Sequence, residues 1–167
     1  MQLSEQDIIK VIEANKGLLF KVAHQYCHDR NDREDLVQEM IIAVWKSANR
    51  YDPEYKLSTW MTRIAINVAV SHYRKNRKHK EATETIDDHS SIAAPDNFEN
   101  SEQNHLLKQI LQQETPLNRA LVILYLEGNN QAEIAEILGI SGSNVASKLH
   151  RLKTKFAKQH AQEKQTA

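Results

Sequence analysis

The chain has 167 residues, of which 40% are hydrophobic and 6% aromatic, and its 22 Lys and Arg balance its 22 Asp and Glu. This length allows one domain or two small ones, and with only 4 glycines and 3 prolines the composition favours long helices over sheets. The single Cys27 excludes an intramolecular disulfide framework and is typical of a reducing compartment.

The net charge of zero conceals a segregation of charge along the chain. The segment 73–80 contains no acid, the segment 81–102 contains no Lys or Arg, and the segment 148–158 is basic again. Two basic patches around an acidic stretch indicate two contacts with a polyanion. The first residues lack the plan of a signal peptide, and no apolar run approaches the length of a membrane span. We therefore expect a cytoplasmic protein without membrane insertion.

Three helices are predicted before residue 51. Ser4 and Asp7 have the spacing of a capping box, which opens the first helix, and a second helix follows residue 17. Either Asn31 or Asp32 is expected to cap the third helix, which runs to about Arg50. Its apolar stripe leaves an outward polar side formed by Asp35, Gln38 and Glu39.

A group of metal-ligating residue types occurs early in the chain. His24, Cys27 and His28 lie within about one helical turn and could bind a metal or sense redox state. Because they supply only three ligands and nothing nearby adds a fourth, we predict no metal and no cofactor. A metal- or redox-sensing helical interaction protein is nevertheless one alternative function, which metal analysis of the purified protein would reveal.

A long fourth helix is predicted after a loop, with Ser58 as its cap and its end near Arg77. One face is apolar, and another carries cations and an amide at three- and four-residue spacing. Cations suit phosphates, amides suit base edges, and rings such as Trp60 suit stacking on single strands, although Trp60 equally suits the core. The alternative is a solvated basic helix. DNA contacts are predicted from Lys56, Arg63, Asn67, Ser71, Tyr73, Arg74 and Lys75.

The segment 81–100 is predicted to be a flexible acidic linker, because its apolar residues do not recur at a helical or strand spacing. Two further helices are expected, one opening at Ser101 and one beginning at Asn118. The tail after His160 is expected to fray.

The segment Gln131–Arg151 has the spacing of a helix–turn–helix. Gly139 ends the first helix at a position that needs positive φ, and Ser141 or Ser143 caps the second. The alternative is an ordinary helical hairpin, but a hairpin does not require the basic bias of the second helix, whose polar face also includes Lys155. We predict that this helix enters the major groove of DNA. Its contacts would come from Ser143, Asn144, Ser147, Lys148 and Arg151.

Several short motifs follow one another in a fixed order. They are Asp35-Leu36-Val37-Gln38-Glu39, Ser58-Thr59-Trp60 through Asn67, Arg74-Lys75, Thr115-Pro116-Leu117, and Glu133-Ile134-Ala135 through Ser141. In this order the chain resembles an extracytoplasmic-function (ECF) sigma factor of bacterial RNA polymerase, in the sigma-70 superfamily. The resemblance covers roughly residues 18–78 and 101–158.

The resemblance implies a dissociable polymerase subunit that directs promoter-specific transcription initiation. The helix with Asp35, Gln38 and Glu39 would dock on core RNA polymerase. The DNA-contacting residues of the fourth helix and its preceding loop would recognise and open the −10 promoter element, and the helix after Ser141 would read the −35 element. An anti-sigma factor would be a further partner.

No nucleophile–base pair, metal set or phosphate-cradling loop stands out, so we predict no catalytic residues and no enzyme activity. We expect an all-α protein of two small helical domains, at residues 1–80 (sigma domain 2-like) and 101–160 (sigma domain 4-like, with the helix–turn–helix), joined by the linker at 81–100. The other alternative is a stand-alone helix–turn–helix transcriptional regulator, which leaves the first half of the chain unexplained.

Overall fold

The structure, a computed structural model, describes residues 3–82, 107 and 109–166. Every regular element within these ranges is a helix, which confirms the all-α prediction. The described residues belong to two compact units, divided within the stretch that is not described. Residues 81 and 82 continue a helix, and the rest of the predicted linker lies outside the described ranges. In the parts of the chain described, no helix has the length and apolarity needed to cross a membrane.

In the residues that the structure describes, the first unit has four α-helices. They are α1 (Glu5–Ala14), α2 (Lys16–Tyr26), α3 (Arg30–Ser47), which continues into a 3-10 turn (Ala48–Arg50), and α4 (Leu57–Ala82). The predicted capping box opens α1: the Asp7 N–H donates to Ser4 Oγ at 3.2 Å, and the Ser4 N–H donates to Asp7 Oδ2 at 3.3 Å. This reciprocal pair satisfies two amides that the helix cannot pair internally.

The start of α3 lies earlier than predicted. Asp29 is the cap, because its Oδ1 accepts the N–H groups of Asn31 at 2.8 Å and Asp32 at 3.1 Å. The prediction of Asn31 or Asp32 as the cap was therefore wrong. Three candidates for a cap stand within four residues here, and the first that reaches two free amides begins the helix.

Both ends of α4 also differ from the prediction. The helix begins at Leu57, so Ser58 lies inside its first turn and is not the cap. The backbone carbonyl of Ser58 instead accepts the hydroxyl of the buried Thr62 at 2.8 Å. This bond satisfies a hydroxyl that is only 5% exposed. The helix continues to Ala82, one turn beyond its expected end at Arg77.

The core of the first unit lies between α2, α3 and α4, with α1 packed against them. Large apolar side chains from α2 and α3 are completely buried there, whereas α4 contributes two alanines as well as Met61 and Ile66. The small alanines let the helix axes approach closely. The most deeply buried members are Leu19, Val22, Leu36, Met40, Val44, Met61, Ala65 and Ala69.

The described residues of the second unit form α5 (Pro116–Leu126), α6 (Gln131–Leu138) and α7 (Gly142–Thr166), preceded by a helical stretch at residues 109–112. Thr115 caps α5 by accepting the Asn118 N–H at 3.3 Å, so α5 begins two residues before the predicted Asn118. Proline suits this first position because its missing N–H has no helical partner to lose. The expected fraying after His160 is also wrong, because α7 continues to Thr166.

The turn between α6 and α7 has the predicted geometry. Gly139 has φ 66° and ψ 35°, the left-handed conformation that only glycine adopts readily. Ser141 rather than Ser143 caps α7, since Ser141 Oγ accepts the Asn144 N–H at 3.2 Å. Ile134 of α6 and Val145 of α7 are both fully buried, as a helix–turn–helix core requires.

A buried arginine that the sequence did not single out holds the turn before α5. Arg119 is only 3% exposed. Its guanidinium donates to the Glu114 carbonyl at 3.1 Å and to the Gln112 carbonyl at 2.7 Å. The side chain therefore satisfies carbonyls at the end of one helical stretch and ties them to the next helix.

We predict that Arg119→Met destabilises the second unit by about 1–3 kcal/mol, because the carbonyls of Gln112 and Glu114 lose their donor. Both tryptophans, Trp45 and Trp60, belong to the first unit. In urea unfolding, the circular-dichroism transition of the second unit should shift, while the tryptophan fluorescence midpoint stays unchanged. Arg151→Met, at an exposed position, is the matched control. Equal stability of the two variants would contradict a structural role for Arg119.

Candidate nucleic-acid interface

The outward side of α3 carries the three residues predicted to dock on polymerase. Asp35, Gln38 and Glu39 are all exposed. Ile42 and Trp45 follow on the same side at helical spacing, with 50% and 43% of their surface exposed. Sequence patterning missed this apolar extension, because an exposed isoleucine cannot be told from a core residue by type alone. The face is therefore acidic at one end and apolar at the other.

One side of α4 presents a polar stripe. Arg63, Asn67, Ser71 and Arg74 are all exposed, and they recur at intervals of four, four and three residues. The stripe extends about 16 Å along the axis at 1.5 Å per residue. Lys75 is exposed beside it. These five residues of the predicted group therefore form one continuous surface of cations, an amide and a hydroxyl.

Tyr73, predicted with this group, has a different environment. Its side chain is half-buried, and its ring meets the buried Tyr26 edge to face, with centroids 6.1 Å apart and planes at 69°. Such pairs stabilise cores beyond their buried area. Tyr73 thus helps to attach α4 to α2, on a different side of the helix from the stripe.

A cleft of about 450 Å³ lies where the α4 stripe meets α3. Its wall on α3 is Glu39, and α4 supplies Asn67 and Ser71 together with an apolar floor. The structure therefore brings a residue predicted for polymerase docking together with residues predicted for DNA. The complete lining is Glu39, Ile64, Asn67, Val68, Ser71, His72 and Lys75.

His72 bridges the two helices inside this cleft. Its Nδ1 lies 3.6 Å from Glu39 Oε2, and its Nε2 lies 2.9 Å from the Asn76 amide nitrogen. Because an amide nitrogen can only donate, Nε2 is the acceptor of this bond, and Nδ1 is the ring nitrogen that faces Glu39. The ring thus links the docking side of α3 to the polar stripe.

An aromatic pair joins the loop before α4 to the start of that helix. The rings of Tyr51 and Trp60 meet edge to face with centroids 5.3 Å apart, and Tyr51 Oη donates to the Tyr55 carbonyl at 2.8 Å. Trp60 is half-buried, while Tyr55 and the predicted DNA contact Lys56 are exposed. Trp60 therefore packs against the loop, and Tyr55 is the ring with more free surface.

On α7 the predicted residues divide into two groups. Ser143, Ser147 and Arg151 are exposed, whereas Asn144 and Lys148 are half-buried at the edge of the same side. Two exposed residues between and beyond them, His150 and Thr154, were not predicted. Their spacing from Ser147 places them on the exposed side, but a pattern defined by basic residues does not include them. The N-terminal turns of such a helix are those that meet base edges in helix–turn–helix proteins.

Lys155, placed by its spacing on the polar face of α7, is bound within the unit. Its ammonium contacts Glu114 Oε1, and the Glu114 carboxylate also accepts the Asn118 amide at 2.8 Å. The Glu114 side chain is 8% exposed and that of Lys155 is 42% exposed. The free cationic surface of α7 is therefore smaller than the sequence suggests.

The candidate metal group is not assembled as a site. His24 Nδ1 contacts the guanidinium of Arg33, Cys27 is buried, and His28 is exposed. Among the residues that the structure describes, no group of three or more His, Cys, Asp or Glu side chains is arranged to hold a metal. Burial, followed by the nearby Asp32 carboxylate, raises the pKa of the Cys27 thiol to about 11.

The two units define a helical DNA-binding protein whose second unit is a helix–turn–helix. Residues 11–79 match the family described as Sigma-70 region 2, and residues 105–156 match Sigma-70, region 4. The RNA polymerase sigma factor CarQ of Myxococcus xanthus is 32% identical over 120 residues, covering 71% of this chain and 68% of CarQ. The ECF RNA polymerase sigma factor SigW of Bacillus subtilis is 25% identical over 161 residues, covering 89% and 86%.

Solved structures share the fold. The sigma factor RpoE from Bartonella quintana, in complex with the anti-sigma factor NepR, superposes with a TM-score of 0.72 at 20% identity, over 92% of this chain and 94% of that one. CnrH, in complex with the cytosolic domain of CnrY, gives 0.67 at 18% identity, over 95% and 90%. The chain belongs to the ECF sigma factors of the sigma-70 family, which direct promoter-specific transcription initiation.

We predict that Cys27 is unreactive in the folded protein. With a pKa of about 11 against 9.0 for the free thiol, its alkylation by iodoacetamide at pH 8 should be about a hundredfold slower than after unfolding, since only the thiolate reacts. Because the folded pKa is raised, the stability that the neutral thiol contributes is present below pH 9 and lost as pH rises through about 11. Rapid alkylation at pH 8 in native buffer would restore the redox-sensing alternative.

Proposed function

We propose that this sigma factor docks on core RNA polymerase through the outward side of α3, opens the −10 element along α4, and reads the −35 element with α7. One observation carries the proposal. The acidic side of α3 and the polar stripe of α4 meet at the cleft that contains Glu39 and Asn67. A docking face and a strand-binding face on two packed helices let polymerase binding position the surface that receives the DNA.

The polymerase-docking surface comprises Asp35, Gln38 and Glu39, extended by Ile42. Its exposed acids offer charge-assisted hydrogen bonds to a basic partner, and Ile42 offers apolar area that is costly to leave in water. Interfaces of this composition concentrate their binding energy in a few central residues. A mixed acidic and apolar surface suits a protein partner better than DNA, whose phosphates would repel the carboxylates.

The −10 surface consists of Arg63, Asn67, Ser71, Arg74 and Lys75, with Lys56 from the loop. The cations would hold the strand backbone, and the Asn67 amide would pair with a base edge. Capture of an unstacked base yields about 1–3 kcal/mol, and DNA stacking costs about 1.4 kcal/mol per step. A few captured bases therefore offset the opening of a similar number of steps. Opening proceeds on binding energy alone, without catalysis by this chain.

The −35 surface is the exposed side of α7, with Ser143, Ser147 and Arg151 at its centre and Asn144 and Lys148 at its edge. Arg151 suits a guanine edge or a phosphate.

We propose further that the chain has an anti-sigma factor as a partner, as RpoE and CnrH have in their complexes. Because core polymerase and chromosomal DNA are its other partners, its site of action would be the cytoplasm.

A run-off transcription assay tests the proposed function. The chain with core polymerase should produce discrete transcripts from genomic fragments, and neither component alone should do so. Gel filtration with core polymerase separates the proposal from the stand-alone regulator, because only a sigma factor elutes with the enzyme. A chain that binds duplex DNA but neither co-elutes nor supports transcripts would be that regulator.

We predict that Asp35→Ala combined with Glu39→Ala weakens core binding about tenfold or more, because interface residues at the centre of a docking face cost over 1 kcal/mol when truncated. Fluorescence anisotropy of labelled protein with core polymerase measures the affinity. Glu13→Ala is the control, since Glu13 is an exposed acid on α1 rather than on α3. Equal affinities for the double variant and the control would remove α3 from the docking surface.

We predict that Asn67→Ala spares polymerase binding but lowers promoter opening roughly fivefold or more, the effect of losing a base-edge contact of about 1–3 kcal/mol. Permanganate reactivity of unpaired thymines in the −10 region, with holoenzyme already bound, measures opening. Asn49→Ala, at an exposed position in the turn after α3, is the control. Normal opening by Asn67→Ala and by Arg74→Ala would mean that α4 is not the melting surface.

A further inference from the structure

The ion pair between Lys155 and Glu114 lies at the end of the proposed −35 surface. Asn144, Lys148, Arg151 and Lys155 recur on α7 at intervals of four, three and four residues, so they share one side of the helix. Lys155 stands about 6 Å beyond Arg151 along the axis. In helix–turn–helix complexes the first turns of this helix meet bases, and cations further along meet the backbone. Position and charge therefore suit Lys155 to a phosphate.

The ammonium of Lys155 nevertheless contacts Glu114, 41 residues earlier in the chain. The Glu114 carboxylate is 8% exposed and receives a second hydrogen bond from the Asn118 amide at 2.8 Å. Burial raises the pKa of Glu114, but the hydrogen bonds from Lys155 and Asn118 outweigh it, and the net pKa lies below its ordinary value. At neutral pH the residue is an ionised carboxylate with a fixed orientation.

The competition for Lys155 favours the carboxylate. A charge-assisted hydrogen bond to a buried carboxylate is screened little by salt, whereas a phosphate at the edge of a protein–DNA contact is surrounded by counterions. The carboxylate is also supplied within the same unit and needs no encounter. Lys155 therefore remains on Glu114 when α7 lies against DNA.

We infer that Glu114 is a specificity-determining residue of −35 recognition, which holds Lys155 away from DNA phosphates and so limits sequence-independent affinity. The inference rests on the proposed function of α7. Each additional phosphate contact strengthens binding to every sequence alike, and it steepens the salt dependence of log K by about 0.9. A protein that must select one site among many gains nothing from such a contact.

The role of Glu114 in the fold does not by itself require this particular side chain. Thr115 caps α5, and Arg119 binds the carbonyls of Gln112 and Glu114, so the turn is held by the backbone of Glu114 and by its neighbours. The Glu114 side chain instead binds the ammonium of Lys155, on the recognition side of α7, and the amide of Asn118. This separation lets a change of the carboxylate be distinguished from a loss of the turn.

The test uses holoenzyme assembled with this chain and core polymerase. Wild-type holoenzyme first selects a site from a library of duplexes randomised over the −35 region and fused to a fixed −10 region. Affinity for the recovered duplex, and for the same duplex with a scrambled −35 region, is then measured across a series of salt concentrations. Glu114→Gln, Lys155→Gln, the double variant and the charge-conserving Glu114→Asp are compared, with circular dichroism recording the melting of each.

Glu114→Gln should bind the scrambled duplex more tightly and steepen the salt slope by about one unit, which is about fourfold in affinity over a fourfold change of salt. Adding Lys155→Gln should return the slope to the wild-type value, and Glu114→Asp should retain it. Lys155→Gln alone should leave the slope unchanged, because Lys155 does not touch DNA in the wild type. This last variant tests the inference even if Glu114→Gln does not fold.

Three results would overturn the inference. An unchanged slope in folded Glu114→Gln would show that Lys155 is not restrained by Glu114. A steeper slope that persists in the double variant would assign the effect to the carboxylate alone. A salt slope that falls by one unit in Lys155→Gln would mean that Lys155 already contacts a DNA phosphate in the wild-type protein. By contrast, if wild-type holoenzyme selects no −35 sequence and Arg151→Ala changes nothing, the proposed function of α7 itself fails.

Discussion

The packing of α3 against α4 is the constraint on which the first unit depends. It is the most extensive helix–helix contact in that unit, and it buries Leu36, Met40 and Val44 completely on the α3 side. On α4, Ala65 and Ala69 keep the axes close. Because each buried side chain fixes the rotation of its helix, the same packing turns Glu39 toward His72 and turns Asn67 outward. The polar surfaces are thus positioned by apolar residues that never meet a partner.

Features governed by residues within about four positions of one another were predictable from the sequence. The Ser4–Asp7 capping box, the left-handed Gly139 and the buried Val145 all follow from local spacing, and the structure has each of them. The errors at helix starts have a local cause as well. Where several capping residues stand together, as before α3, propensity alone does not decide which one reaches the free amides.

Features governed by distant residues were not predictable. The partner of Lys155 lies 41 residues away, and no local sequence pattern near either residue predicts the ion pair. The same holds for Arg119. An arginine is expected on the surface, but Arg119 is buried and donates hydrogen bonds to the carbonyls of Gln112 and Glu114. Tyr73 has the spacing of neither a pure core residue nor a stripe residue, and only the position of Tyr26 on α2 decides its environment. For the candidate site, the sequence pattern predicted which residues share a helix face. Which of these side chains are exposed, and which are bound to other residues, depends on the fold.

Glu39 has consequences for how this protein can change over generations. Its side chain is 57% exposed on the docking side of α3, yet it also lines the cleft and faces His72. With the roles proposed for those surfaces, a substitution at Glu39 alters attachment to the enzyme and strand capture in one step. A substitution at this position is then pleiotropic, and attachment and strand capture cannot be optimised separately there. Compensating changes that restore one trait without the other would have to arise elsewhere, at Ile42 for attachment and at Asn67 or Ser71 for strand capture.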